Sequence, residues 1–177
     1  MVVLIAGASH TGKTKLAQQL LEERGYPYLS IDHLKMGLIR SGMISLTPED
    51  DEELTQCLWP IVREIVKTAV ENCKNLTVEG AYIPPNWQDD FSPRYLPHIR
   101  YCCLIMSEDY ILRHGPDILA YADVAERRVG SSQVDIRQLI ADNRENLRLC
   151  RAFGTPYVLI DKDYPARISI PNLQEVL

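Results

Sequence analysis

The apolar run Met1-Val2-Val3-Leu4-Ile5-Ala6 leads directly into Gly7-Ala8-Ser9-His10-Thr11-Gly12-Lys13-Thr14, and this junction constrains the fold more than any other feature of the chain. The second segment matches the pattern G-x-x-x-x-G-K-[ST] in full. That pattern works only with a strand before it and a helix starting within it, so that backbone N–H groups converge on phosphate oxygens at the positive end of a helix dipole. Both flanks are present. The opening run is continuously apolar and rich in β-branched residues, as suits a central strand covered on both faces of a parallel sheet. From Lys13 to Arg24 the residues are good helix formers, with Leu16, Leu20 and Leu21 on one side and Gly25 just beyond. In such a loop Lys13 would reach the β- and γ-phosphates and the Thr14 hydroxyl would bind Mg2+.

The same alternation continues. Tyr28-Leu29-Ser30-Ile31 reads as a second strand ending at Asp32, followed by a short helix through Arg40 and a break at Ser41-Gly42. Thr47-Pro48-Glu49-Asp50 has the chemistry of a helix start: a cap, a proline at the first helical position and acids at the positive dipole end. The long helix that follows carries a stripe of Leu54, Leu58, Ile61, Ile65, Val66, Ala69 and Val70, with Pro60 as a possible bend. Asn75 to Val78 is the third strand, ending at Glu79-Gly80, and Ile99 to Met106 the fourth. Between them, Tyr82 to Pro97 is rich in proline and aromatics and reads as an irregular connection or substrate-side insertion. Asp109 to Arg151 is mainly helical, with interruptions at Gly115-Pro116 and Gly130-Ser131-Ser132. Tyr157 to Ile160 is a fifth strand, and Asn172 to Leu177 a short terminal helix.

With 177 residues, 46% of them hydrophobic and 24% charged, the chain fits one domain over 1–177 with a proper core. A net charge of -5 gives no broad attraction for nucleic acid or anionic lipid. No apolar run approaches the roughly 20 residues that span a bilayer, and the opening run lacks a basic leader; the expectation is a cytoplasmic protein. The 5 cysteines form no CxxC pair, and Cys102 and Cys103 adjoin in an apolar run, so reduced, packed thiols are expected rather than disulfides or zinc.

On the Gly7–Thr14 motif and its context, the chain resembles the P-loop kinases, the group that includes nucleoside monophosphate kinases, shikimate and gluconate kinases and zeta-toxin-type sugar-nucleotide kinases. The resemblance covers most of the chain. It implies an α/β, three-layer P-loop NTPase fold with a five-stranded parallel sheet in the order 2-3-1-4-5 and a helical lid over 107–152. It also implies ATP and Mg2+ as cofactors, held by Gly7, Ala8, Ser9, His10, Thr11, Gly12, Lys13 and Thr14. His10 departs from the pattern, since many such kinases have a third glycine there; it would touch a phosphate or simply stand exposed.

Asp32-His33-Leu34-Lys35 has the spacing of a DxxR element of several small-molecule kinases, with Lys for Arg. Asp32 would accept the acceptor's proton or hold Mg2+ through water, and it also suits a helix N-cap. Lys35 and Arg40 would bind an anionic acceptor. Glu79-Gly80 lies where nucleoside monophosphate kinases have a similar Asp-Gly: Glu79 would orient Mg2+ or the acceptor, and Gly80 would permit close backbone approach. The full Asp-Gly-Phe-Pro-Arg element of adenylate kinases is absent. Tyr82 and Trp87 either line the acceptor pocket or pack beneath the loop.

Phosphoryl transfer needs cations at the developing charge, and Arg127 and Arg128 are the candidates for a basic lid. Arg144, Arg148 and Arg151 either line a face towards the site or form a solvated face paired with Asp142 and Glu145. Gly154-Thr155-Pro156-Tyr157 resembles the segment before the base-side strand in these kinases; the loop that follows would contact adenine, or the segment simply leads the chain into the strand. The first reading is therefore an ATP- and Mg2+-dependent kinase with a small, anionic phosphate acceptor such as a nucleoside monophosphate or phosphorylated acid. The alternatives are a nucleotide-binding regulatory switch and a zeta-toxin-like sugar-nucleotide kinase.

Overall fold

In the computed structural model, residues 1–125, 135–170 and 173 are described, without the side chains of 119–125. Arg127, Arg128, the Gly130-Ser131-Ser132 interruption and the terminal helix expected at 172–177, Leu173 apart, fall outside them.

The order is β1 (Val2–Gly7), α1 (Lys13–Arg24), β2 (Tyr28–Ser30), α2 (Ile31–Arg40), α3 (Asp51–Glu71), β3 (Leu76–Glu79), β4 (Ile99–Met106), α4 (Glu108–Ala125), α5 (Ile136–Phe153) and β5 (Tyr157–Ile160). The strands form one parallel sheet in the order β2-β3-β1-β4-β5, the order that the resemblance implied. β1 lies between β3 and β4, with Val2 opposite Leu76 and Ile99. Its continuous apolarity follows from burial on both faces. Val2, Leu4 and Ala6 point into a core with Leu54, Leu58, Val62 and Val66 of α3, whereas Val3 and Ile5 meet Leu16, Ala17 and Leu20 of α1. Helices thus cover both faces of the sheet.

The ends of α1 are where the sequence placed them. Gly25 takes a left-handed φ of 68° and its N–H bonds back to the Leu21 carbonyl at 3.0 Å, which closes the helix. The start of α3 differs. Thr47 donates its N–H (2.7 Å) and its hydroxyl (2.9 Å) to the Asp50 carboxylate, so Thr47 to Asp50 forms a turn and the helix begins at Asp51. Those two hydrogen bonds hold the Asp50 carboxyl below its ordinary range. The buried stripe of α3 is also rotated from the expected one: Trp59 and Val62 are inside, while Ile61 is exposed. Trp59 turns inward because its indole N–H reaches Asp90 at 2.7 Å.

The Tyr82 to Pro97 stretch holds two short 3-10 turns, Trp87–Asp90 and Leu96–His98. Its aromatics are core. Trp87 stacks on Tyr101 with centroids 5.7 Å apart, and Phe91 meets both Trp59 and Trp87 edge-on. For Trp87 this is the packing alternative. α4 runs unbroken through Gly115-Pro116, where the sequence suggested an interruption. The carbonyl that Pro116 leaves without a donor belongs to Leu112, which is exposed, so water can serve it.

All 5 cysteines are free. Cys102, Cys103 and Cys150 are packed in the core, and burial pushes the Cys102 thiol up to about 12. Among the described residues no helix is long and apolar enough to cross a membrane.

Gly80 is required by packing. A Cβ there would stand 2.8 Å from the Cβ of Ile31, the fully buried first residue of α2. Gly80→Ala is expected to destabilise the protein by about 1 to 3 kcal/mol, the usual range for overpacking. Urea denaturation measures this, and an unchanged midpoint would refute it.

Candidate active site

The carboxyl ends of the parallel strands open into a cavity of about 990 Å³. Ligands of open α/β sheets bind in this place. The floor is the Gly7–Thr14 loop. Gly7 (φ 140°) and Gly12 (φ 89°) turn the chain through conformations that favour glycine. His10 adopts φ 63° as well, so the residue that replaces a third glycine takes a left-handed conformation, and it lines the cavity. Lys13 lies over the loop with its ammonium 2.8 Å from the Ala8 carbonyl, and the Thr11 hydroxyl donates to the same oxygen at 2.9 Å. Thr11 is fully buried: it braces the loop from within, and its side chain does not reach the cavity. Helix α1 has no acidic residue in its first turn, so its positive end faces the cavity without a carboxylate of its own.

Glu79 ends β3 and is 1% exposed, with Oε1 accepting from the Thr14 hydroxyl at 3.3 Å. The register of β1 against β3, with Ile5 opposite Glu79, sets this pair beside the loop. A hydroxyl and a buried carboxylate next to an array of loop N–H groups suit a nucleotide phosphate accompanied by Mg2+. Among the described residues no group of three or more His, Cys, Asp or Glu could hold a metal alone, so the ion would share these side chains with the nucleotide.

The opposite wall is polar and connected. Asp32 lies in the first turn of α2, one residue past Ile31, and Ser30 occupies the cap position; the capping alternative for Asp32 is therefore not realised. Its Oδ1 is 3.2 Å from the Lys35 ammonium, which also donates to the Tyr82 hydroxyl at 2.9 Å. Tyr82 in turn donates to Asp51 Oδ1 at 2.8 Å. The sequence reading singled out Asp32, Lys35 and Tyr82 but not Asp51. A helix start at Thr47 concealed it, because Asp51 then lies inside the helix rather than at its head.

Two expected acceptor residues are not in the cavity. Arg40 ends α2, eight residues from Asp32 and so about 12 Å along the axis, and is exposed. Gly80 approaches Ile31 rather than the cavity. No arginine of α5 lines the cavity. Arg144 pairs with Glu108 rather than Asp142, and Arg148 with Glu145 at the cavity rim; both arginines are exposed, which is nearer the solvated-face alternative. The residues of α5 that line the cavity are Asp142, Glu145 and Asn146.

α5 is fixed to the sheet by Asn143, whose buried Oδ1 accepts from the Met106 N–H at 2.8 Å. From the loop after β5, Tyr164 leans over the phosphate loop, with its hydroxyl 3.4 Å from the Thr11 carbonyl and the Lys15 ammonium 4.4 Å from its ring centroid. Burial pushes the Tyr164 phenol up to about 12. The only sequence signal for Tyr164 was the expectation that this loop lies beside the nucleotide.

The fold and this cavity define the class: the chain has the fold of the P-loop small-molecule kinases. No family model matches it, and no curated protein matches it. Solved structures do. A gluconokinase from Sinorhizobium meliloti 1021 is 18% identical over 93% of this chain and 83% of its own, with a TM-score of 0.50. A shikimate kinase from Bacteroides thetaiotaomicron is 11% identical over 91% of this chain and 85% of its own, at 0.54. A deoxyadenosine kinase from M. mycoides is 11% identical over 91% of this chain and 90% of its own, at 0.51. At these identities the likeness establishes the fold alone.

A Cβ at Gly12 would fall on the Tyr164 hydroxyl, and φ there is 89°. If this loop holds nucleotide phosphates, Gly12→Ala is expected to weaken nucleotide binding by about tenfold or more, a strain of one to a few kcal/mol being sufficient. Titration calorimetry checks this, and an unchanged Kd would mean that the loop does not hold the phosphates.

Proposed function

We propose that the chain is an ATP- and Mg2+-dependent phosphotransferase that moves the γ-phosphoryl group of ATP to a hydroxyl of a small acceptor. The observation that carries this reading is the two-ended cavity. Lys13, Thr14 and the loop N–H groups line one end, and Asp32, Lys35, Tyr82 and Asp51 line the other. A volume of about 990 Å³ suits a nucleotide and a small second molecule together. A protein that only sensed a nucleotide would have no need of the second end.

The loop N–H groups and Lys13 hold and neutralise the phosphates, so that charge developing in transfer meets fixed positive partners. Thr14 and Glu79 would hold Mg2+ beside the loop, where the ion would supply further neutralisation of the phosphate charge. Asp32 orients the acceptor hydroxyl and takes its proton as the oxygen attacks phosphorus; the bond to the leaving ADP oxygen breaks and its electrons depart with ADP. Lys35, 3.2 Å from the Asp32 carboxylate, fixes its position. The anionic acceptor anticipated from Lys35 and Arg40 loses support, because Arg40 is remote and Lys35 is already engaged.

Two variants test the roles by acceptor-dependent ADP release. Lys13→Ala is expected to lower kcat by about a hundredfold or more, the scale for loss of one preorganised charge partner. Near-normal turnover would sink the mechanism. Asp32→Asn is expected to lower kcat by about a hundredfold or more with ATP affinity retained, as for loss of a general base. Turnover at the original rate would remove Asp32 from the chemistry.

A further inference from the structure

Helices α1, α2 and α3 each contribute first-turn residues to the cavity, and they treat charge differently. The first turn of α1 has no acid, whereas α2 carries Asp32 and α3 carries Asp51, Glu52 and Glu53. The positive dipole end of α1 is left for phosphate. Those of α2 and α3 are already complemented by the chain's own carboxylates and hold little attraction for an anion of the acceptor.

Among the described residues that line the acceptor end, Lys35 is the only cation, and no described residue lining the cavity is an arginine. Lys35 is bracketed. It is 3.2 Å from Asp32 and donates at 2.9 Å to Tyr82, which passes the connection to Asp51 at 2.8 Å. One carboxylate thus holds the ammonium directly and a second holds it through the Tyr82 hydroxyl, and the lysine side chain is only 12% exposed. Elsewhere the cavity lining adds Asp117, Asp142 and Glu145, of which Glu145 is already paired with Arg148.

An acceptor bearing carboxylate or phosphate would have to draw Lys35 away from Asp32, leaving a half-buried carboxylate beside another anion. The bidentate fork that planar anions favour is not offered by the described wall. A ligand rich in hydroxyl or ammonium donors meets the opposite situation, since the carboxylates of Asp32 and Asp51 and the hydroxyl of Thr55 accept hydrogen bonds.

Resting on the phosphotransfer reading above, we propose that the acceptor is a hydroxyl-bearing molecule with no negatively charged group, and that Asp51, acting through Tyr82, is a positioning residue that sets this preference. Asp51 orients the Tyr82 hydroxyl to accept from Lys35, and so keeps the ammonium turned inward as an internal counter-ion.

The test uses the full chain with ATP, Mg2+ and matched acceptor pairs, following phosphorylated product by mass. The pairs are nucleosides and their 5′-monophosphates, glucose and glucose 6-phosphate, N-acetylglucosamine and its 6-phosphate, and glycerol and glycerate, with glucosamine added as an ammonium-bearing member. The member without negative charge is expected to have a kcat/KM at least about tenfold above that of its anionic partner. Asp51→Asn is expected to move this ratio about tenfold towards the anionic member, chiefly through KM, as Lys35 is released. Tyr82→Phe is expected to act in the same direction with less disturbance of packing, and ATP binding by calorimetry reports that each variant is folded.

A preference of the original chain for anionic members would overturn the inference while leaving phosphotransfer intact. So would a ratio unmoved in both variants when both bind ATP. If ATP binds and no member of any pair is phosphorylated, the phosphotransfer reading fails, and the inference with it.

Discussion

The site depends on the burial of β1 between β3 and β4, with apolar side chains covering both of its faces. A strand held this way has one register against each neighbour, because a slip of one residue would exchange its two buried faces. Ile5 therefore stands opposite Glu79 and Cys102, and Gly7 opposite Leu104. The loop after Gly7 and the carboxylate at the end of β3 emerge side by side. Apolar packing several residues away fixes the pairing of Thr14 with Glu79 on which a phosphate and cation site would rely.

Charge is divided along the cavity as consistently as shape. The loop and the start of α1 offer N–H groups and a lysine with no acid in the first turn. The starts of α2 and α3 carry their own acids, and their lysine is tied to Asp32 and, through Tyr82, to Asp51. In the proposed reading, one end thus suits a polyanion and the other does not. Such a division would orient two different substrates without moving parts, because the nucleotide phosphates have one favourable end at which to settle.

Much of the fold was legible in the residues, and for physical reasons. β1 and β4 read directly because burial on two faces leaves an unbroken apolar run, whereas Ile31, expected to close the second strand, opens α2 instead; α1 read to within its caps because Gly25 is the residue that a left-handed closure favours. The start of α3 was misread because Thr47 has cap chemistry, yet its donors go to Asp50 and build a turn one step earlier. Pro116 looked like a stop because propensity weighs the lost hydrogen bond, whereas the fold places the orphaned carbonyl at an exposed residue. The phosphate end of the site was legible because its residues are contiguous. The acceptor end was only half legible, since Asp32, Lys35, Asp51 and Tyr82 come from separate elements and meet only through the sheet order. Arg40 shows the limit of charge alone: its sign suited an acceptor, but its place on α2 takes it out of reach.

The most direct measurement is transfer itself. The chain is incubated with Mg2+, ATP labelled in the γ-phosphoryl group and a mixture of small hydroxyl-bearing molecules, and the fate of the label is followed by mass. The expected result is label in a new phosphate ester, in amounts equal to the ADP formed. Tight ATP binding with the label remaining in ATP, or passing only to inorganic phosphate, would contradict a two-substrate cavity and point instead to a nucleotide-binding switch.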